Sequence, residues 1–257
     1  MADIKSCESA YLDALNTIGV LNWAEGDTGE ERFLRSYLSS TEQPVVFDVG
    51  AHHGNYALKV LSICSSAQLF AFEPHPVSFG KLSEAGKKDG FSVFQCGLGS
   101  AEGTSLLYDY DNDDGSEHAT LFKDVIEDIF TSSSTSHVVH VRKLDDIIEE
   151  LHIAKINLLK VDTEGNELDV LRGAERSIRS GKIDVIQFEF NEMNVISRTF
   201  FKDFFDFLPE YDFFRLTREG AIHLKTYRPW LCEIFAFQNI VCVLKANMEP
   251  HASGAMS

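Results

Sequence analysis

The run VVFDVGAHHGNY, Val45 to Tyr56, is an apolar stretch that stops at Asp48 and breaks at Gly50 and Gly54, and Glu73 closes a second apolar stretch, FAFEP, soon after. Glycines at a strand end let the backbone turn tightly and let a ligand come close, because neither carries a Cβ. An acid at the end of the next strand can accept both hydroxyls of a ribose. Together these residues outline a cradle for a nucleotide-like ligand. The spacing narrows the choice. A dinucleotide fingerprint needs G-x-G-x-x-G so that a pyrophosphate rests on the helix N-terminus, and here His52 holds the middle position. Asp48 would repel a diphosphate and suits a cation, such as the ammonium and sulfonium of S-adenosylmethionine.

A second constellation, KVDTEG, sets Lys160, Asp162 and Glu164 at alternating positions where a later strand runs out at the same rim, with Gly165 permitting the bend that follows. Alternation puts them on one face up to the strand end, and a core strand does not collect three ionisable groups without partners. Group transfer from an electrophile held at this rim would need positioning and a general base. Asp162 is the expected base or hydroxyl-orienting acceptor, Glu164 the second candidate, and Lys160 the group that tunes either acid. FEFNE ends another strand on that rim, where Glu189 and Asn191 could bind substrate or complete a divalent-metal site with Asp162. Two strand ends supply few ligands, so a metal-free site is the expectation. His118 sits in the acidic stretch DYDNDDGSEH, either as a base above the substrate or as part of a solvated loop. A calcium loop counted from Asp109 would put Asp114 where Gly is needed and Thr120 where Glu is needed, which disfavours that ion.

The elements that must carry these residues follow from periodicity. Residues 6 to 21 and 30 to 40 read as helices; PVVFDV, AQLFAFE and FSVFQC read as strands, separated by helices over Tyr56 to Cys64 and Val77 to Lys88. This βαβαβ order implies parallel strands, right-handed crossovers and a doubly wound α/β sheet. TSLLYDY and HVVHVRKL are strand-like but flank a polar stretch, so they form an excursion from the central sheet, with TSSSTS (Thr131 to Ser136) as a solvated linker. The alternation resumes with a strand over Ile156 to Asp162, a helix over Glu167 to Arg179 and a strand over Asp184 to Phe190. A helix around Phe200 to Phe207 and strands near Asp212 to Leu216 and Phe235 to Leu244 complete it. Phe200, Phe204 and Phe207 fall at helical spacing and are expected in the core.

NLLKVDTEGNELDVLRGAERSI, Asn157 to Ile178, resembles the hallmark segment of the FkbM family of S-adenosylmethionine-dependent methyltransferases. There it follows a motif similar to FDVGAHHGNY and an acid similar to that in FEPHP; LDDI (Leu144 to Ile147) and FEF (Phe188 to Phe190) extend the resemblance over roughly Val45 to Leu244. The resemblance implies a class I (Rossmann-like) methyltransferase fold, a mostly parallel seven-stranded sheet with helices on both faces and the last strand inserted antiparallel. It implies O-methylation of a hydroxyl, frequently on a sugar or a natural-product scaffold. Carried over by position, Asp48, Gly50 and Gly54 hold the methionine part of the cofactor, Glu73 the ribose, and Cys96, Gly97 and Leu98 the adenine. His52 departs from the Asn common in relatives; it could bond cofactor or substrate, or be a loop residue.

Composition bounds the rest. At 257 residues and 44% hydrophobic content one large domain is favoured, divided here into a helical extension (1–43), a methyltransferase domain (44–245) and a frayed tail (246–257). A net charge of −17 repels a phosphate backbone, so a nucleic-acid partner is not expected. No segment reads as a secretory signal or membrane span, and the five scattered cysteines (7, 64, 96, 232 and 242) read as thiols of a reducing, cytoplasmic setting. The expected partner is a small-molecule or glycan acceptor. A nicotinamide-dependent oxidoreductase, disfavoured by the missing glycine, and a catalytically silent binding protein are the alternatives. The oligomeric state is not written in the sequence.

Overall fold

The computed structural model describes residues 4–22 and 27–247. Helices α1 (Ile4–Thr17) and α2 (Glu30–Leu38) precede the first strand. Then come β1 (Val45–Val49), α3 (Asn55–Ile63), β2 (Gln68–Phe72), α4 (Pro76–Asp89) and β3 (Ser92–Phe94). The excursion contains β4 (Gly97–Leu98), β5 (Gly103–Tyr110), a π-helical turn (Val125–Ile129) and β6 (Ser134–Arg142). The alternation returns with α5 (Leu144–Glu150), β7 (Ile156–Val161), α6 (Glu167–Arg172), α7 (Glu175–Arg179), β8 (Ile183–Phe190), α8 (Met193–Ser197) and α9 (Phe201–Phe207). It ends with β9 (Tyr211–Thr217), β10 (Gly220–His223), α10 (Pro229–Cys232), β11 (Gln238–Leu244) and a short 3-10 turn, Lys245–Asn247. Of the expected tail, residues 248–257 lie outside the described residues.

Eight strands form one sheet in the order β10-β9-β11-β8-β7-β1-β2-β3. β3, β2, β1, β7 and β8 run parallel, and β11 lies antiparallel between β8 and β9. Numbering the seven expected strands by chain position gives the order 3-2-1-4-5-7-6, with the reversed last strand inserted before the edge. That is the class I methyltransferase arrangement. β10 is an eighth strand, folded back on β9 as a hairpin.

Both faces of the sheet are covered, which is why its strands read as apolar runs rather than alternating ones. On one face Phe47, Phe70, Phe72, Leu159, Ile186 and Phe188 pack with α5, α6, α7 and α9. On the other, Val46, Ala71, Leu158 and Val185 meet Ala57 and Val60 of α3 and Phe33, Leu34 and Leu38 of α2. Helix α2 is therefore part of the same core as β1, whereas Leu15 is the buried residue of α1.

The structure corrects three local expectations. The single helix over Glu167 to Arg179 is two, broken at Gly173, where a Cβ would sit 2.2 Å from the carbonyl oxygen of Gly99. The chain leaving β4 presses on the helix there, and only a residue without a side chain admits it. The aromatic helix starts one residue late. Phe200 is its extended N-cap and is 53% exposed, so the buried stripe is Phe201, Phe204 and Leu208, with Phe204 stacked on Phe188 at 4.3 Å. Lastly, TSSSTS is not all linker, since Ser134, Thr135 and Ser136 open β6 and pair with Tyr110, Asp109 and Tyr108.

The excursion is a separate three-stranded sheet, β4-β6-β5. Its acidic stretch folds around one of its own carboxylates. Asp109, wholly buried, accepts the backbone N–H groups of Tyr110, Gly115 and Ser116 and the hydroxyl of Ser116. No described helix is long and apolar enough to cross a membrane.

The position of the aromatic stripe sets a stability test. Phe204→Ala is expected to cost about 3–5 kcal/mol, and Phe200→Ala within about 0.5 kcal/mol, as for an exposed side chain. Urea unfolding midpoints compared at constant slope check both.

Candidate active site

The carboxyl ends of β1, β7 and β8 lie side by side at the centre of the sheet, and the turns leaving them build the rim. Gly50 turns with φ 77°, and a Cβ on it would lie 1.7 Å from the carbonyl oxygen of Asp162. The exits of β1 and β7 are thus in backbone contact, reinforced by the Asp162 N–H donating to Val49 O at 3.0 Å. Gly50 and Ala51 N–H both donate to Phe72 O, which pins the same turn to the end of β2. Gly54 starts α3.

Two cavities meet on this rim. A narrow slot of about 60 Å³ is lined by Gly50, His52, Glu73, Cys96, Gly97, Leu98 and Asn166. An open cleft of about 680 Å³ is lined by Tyr56, His118, Lys160, Glu189, Asn191 and Glu192. Asp162, Glu164, Gly50, His52 and Glu117 border both. The expected cofactor, acid and substrate residues therefore converge, except Asp48 and Gly54, which line neither. The ceiling of the slot comes from the excursion, through Leu107, Ser116, Glu117, Ala119 and Leu121.

Asp48 sits one layer beneath the cavity wall. It is wholly buried and neither carboxylate oxygen has a hydrogen bond. Its nearest cation is Lys160, 3.8 Å away, whose ammonium also contacts Asp162 at 2.9 Å. Burial pushes Asp48 up to about 6, partly offset by Lys160. Burial alone would lower Lys160, but the Asp162 and Asp48 carboxylates outweigh it and hold the ammonium well above its ordinary range. The layer continues sideways. Lys160 lies over the Tyr56 ring, Tyr56 donates to Gln187 at 2.9 Å, and Gln187 donates to Glu30 at 2.8 Å.

Glu73 is held by two backbone donors, His52 N–H at 2.8 Å and His75 N–H at 2.7 Å, and burial raises it to about 7. Glu164 and Glu189 rise well above the carboxylate range, first through burial and then through the charge of Asp162. Both are partly solvent-reached on the cleft side yet closely walled by protein, and Glu164 Oε2 is enclosed without a hydrogen-bond partner. His52 (φ 48°) and Glu164 (φ 52°) are non-glycine residues in the left-handed region, and such strain persists where surrounding contacts over-determine it.

Three side chains take roles different from those expected. His52 Nε2 is spent on Gly115 O at 2.9 Å, tying the β1 turn to the excursion. His118 is not in a solvated loop; it stacks on Phe130 with centroids 4.5 Å apart, bonds the Tyr110 hydroxyl at 3.0 Å and forms cleft wall. Asn191 lines the cleft while its side-chain oxygen accepts Met193 N–H at the start of α8. Sequence reasoning missed Glu30, Glu117 and Glu192 as cleft residues and underused Asn166, whose amide donates to Leu98 O at 3.1 Å and fixes the slot wall. A second tie, Thr120 Oγ donating to Glu164 O at 2.8 Å, completes the roof.

Among the described residues, the cluster whose metal-capable atoms lie mutually within 4.8 Å is elsewhere: His75, Asp114 and His137. His75 Nδ1 accepts the Val77 N–H, which puts its proton on Nε2, facing Asp114 at 3.1 Å. A protonated Nε2 is a donor and not a ligand, so the cluster is a hydrogen-bonded latch beneath the excursion.

The sheet order, with its reversed strand inserted before the edge, defines the class I methyltransferase fold. The family model "Methyltransferase FkbM domain" matches residues 48–215, and the chain belongs to that family. Hexuronic acid methyltransferase AglP of Haloferax volcanii is 29% identical over 163 residues, covering 62% of this chain and 62% of that protein. 2-O-methyltransferase NoeI of Sinorhizobium fredii is 25% identical over 184 residues, covering 66% and 76%. The chain thus spans about three fifths of the length of the Haloferax relative. Among solved structures it is similar to precorrin-6y C5,15-methyltransferase of Geobacter metallireducens, at 9% identity and TM-score 0.45, covering 83% of this chain and 87% of that one.

The ionic layer generates a test. Lys160→Met strands Asp48 as a buried charge and is expected to destabilise by roughly 3 kcal/mol at pH 8. A carboxyl raised by burial loses stability as pH climbs from its unfolded value near 4 toward its folded one, so the loss should shrink at pH 5. Asp48→Asn in the same chain should recover most of it, as read from urea titrations at the two pH values.

Proposed function

We propose that the protein transfers a methyl group from S-adenosylmethionine to a hydroxyl of a carbohydrate, glycolipid or secondary metabolite, with residues 44–245 as the transferase domain. The observation that carries this reading is Asp162, which borders both slot and cleft with an ammonium 2.9 Å from its carboxylate. The names of the relatives, a hexuronic acid methyltransferase and a 2-O-methyltransferase, support a sugar hydroxyl as acceptor. The unpaired cysteines, Cys96, Cys232 and Cys242 among them buried, support a cytoplasmic setting.

The slot residues fit the cofactor by chemistry. Glu73 is a wall acid for ribose hydroxyls, while Leu98, Leu107 and Leu121 give apolar surface for a purine. Gly50 leaves the backbone bare where the methionine part would pass. When bound, S-adenosylmethionine supplies a methyl carbon activated by a sulfonium.

Asp162 accepts the hydroxyl hydrogen of the acceptor and aligns its oxygen at the slot–cleft boundary, taking the proton as the oxygen commits to bonding. Lys160 fixes the Asp162 carboxylate and keeps it from turning toward Glu164. Glu164 and Glu189, raised by burial, face the acceptor's neighbouring polar groups and can bond them. The excursion excludes water from the slot, and His118 on Phe130 gives the acceptor a flat wall.

Asp162→Asn is expected to leave S-adenosylmethionine affinity within about twofold while slowing methyl transfer at least tenfold, about 1.4 kcal/mol of barrier. Turnover equal to wild type would remove Asp162 from the reaction, and calorimetry showing NAD bound in place of S-adenosylmethionine would overturn the whole reading. Because the ionised Glu73 is the better acceptor for ribose hydroxyls and titrates at about 7, cofactor affinity should strengthen about eightfold from pH 6 to pH 7.5. Glu73→Gln should weaken binding and flatten that profile.

A further inference from the structure

The cleft carries more acid than methyl transfer needs. Six carboxylates line it, on Glu30, Glu117, Asp162, Glu164, Glu189 and Glu192, against the ammonium groups of Lys59 and Lys160. Both ammonium groups are already committed, Lys59 to Glu30 at 3.0 Å and Lys160 to Asp162 at 2.9 Å. Among the described residues, no ion pair within 4.0 Å is seen for Glu117, Glu164, Glu189 or Glu192, and Lys160 acts on Glu164 and Glu189 only from farther off. A cationic cofactor explains part of this, since Glu117, Asp162 and Glu164 border the slot as well. It does not explain Glu189 and Glu192, which face the cleft alone.

A divalent ion is a poor fit for this charge. Ligand oxygens around such an ion crowd within roughly 3 Å of one another, and no three of these carboxylates converge even within 4.8 Å among the described residues. Dispersed acids over an aromatic wall suit an extended organic cation instead. The His118–Phe130 stack supplies that wall, and ring faces attract ammonium groups.

We propose that the acceptor carries a protonated nitrogen near the hydroxyl that is methylated, as in an amino sugar or aminocyclitol, and that Glu189 and Glu192 receive it. This rests on the cleft being the acceptor site. An ammonium there draws Glu189 back toward its ionised form, offsetting the burial that raises it. A uronate or sulfated acceptor adds negative charge to an already uncompensated wall and is disfavoured.

The test compares methyl glucosaminide, its N-acetyl derivative and methyl glucuronide as ligands, by calorimetry or saturation-transfer NMR with S-adenosylhomocysteine present, and then as methyl acceptors. The amine is expected to bind at least tenfold tighter than its N-acetyl partner, with the uronide weakest. Glu189→Gln and Glu192→Gln should each cut the amine-to-acetamide ratio several-fold, and raised ionic strength should narrow it. Equal or tighter binding of the N-acetyl sugar, binding of none of the three, or variants that weaken both ligands in step would overturn the proposal. An amine preference in a protein that shows no affinity for S-adenosylhomocysteine would sink the methyl-transfer reading and overturn the acceptor role with it, leaving Glu189 and Glu192 as an ammonium site only.

Discussion

The buried ammonium of Lys160 is the constraint on which both fold and site depend. Asp48, Lys160 and Gln187 are register partners on three adjacent parallel strands, so the sheet places an acid, a base and an amide in one row on one face. Each would be costly to bury alone. Together, with Tyr56 from α3 and Glu30 from α2 closing over them, they form a connected polar layer in an otherwise apolar face. A one-residue slip of β7 would turn Lys160 into the aromatic cluster of the opposite face and bring Leu159 here. The register that keeps the core dry is therefore the register that sets Asp162 at the rim.

The excursion makes slot and cleft one unit. Its acidic stretch is organised from within by Asp109 and anchored below by the His75, Asp114 and His137 latch. Its Gly115 and Thr120 reach the rim through two bonds, to His52 and to Glu164. One bond ends on the slot's turn and the other on the β7 exit, so a displacement of this roof is felt at both cavities. Burial and the neighbouring His137 hold His75 below its ordinary range, and a depressed imidazole contributes stability above pH 6.5 that is lost as pH falls through its folded value. Acid therefore weakens the anchoring of the roof.

What was legible in the sequence is what is local. Gly50, Glu73 and KVDTEG announce themselves because turn, strand end and alternation are encoded within a few residues. Asp48 was misplaced because its neighbours Phe47 and Val49 fix which face it takes, and only the assembled sheet shows that this face lies behind the turn rather than in front of it. Glu30, Glu117 and Glu192 reach the cleft from a helix before the sheet, from the excursion and from the start of α8, and no spacing links them. The break at Gly173 has the same origin, its cause being the backbone of Gly99 in a distant segment. Phe200 erred by one step of helical phase, because an extended cap ahead of an aromatic run resembles the run itself.

The acids of the cleft also say something about the balance of the whole molecule. A chain of net charge −17 can keep like charges apart over its surface, yet it gathers Asp162, Glu164 and Glu189 where burial raises the last two. A carboxyl whose folded value lies above its unfolded one opposes folding increasingly as pH rises between the two. At neutral pH these residues work against stability, and the apolar packing of both sheet faces offsets them. Packing alone would favour apolar or amide side chains at those positions. Acids retained at a stability cost in a cavity beside Asp162 point to a ligand that answers them, because a bound cation lowers the cost in the complex that acts.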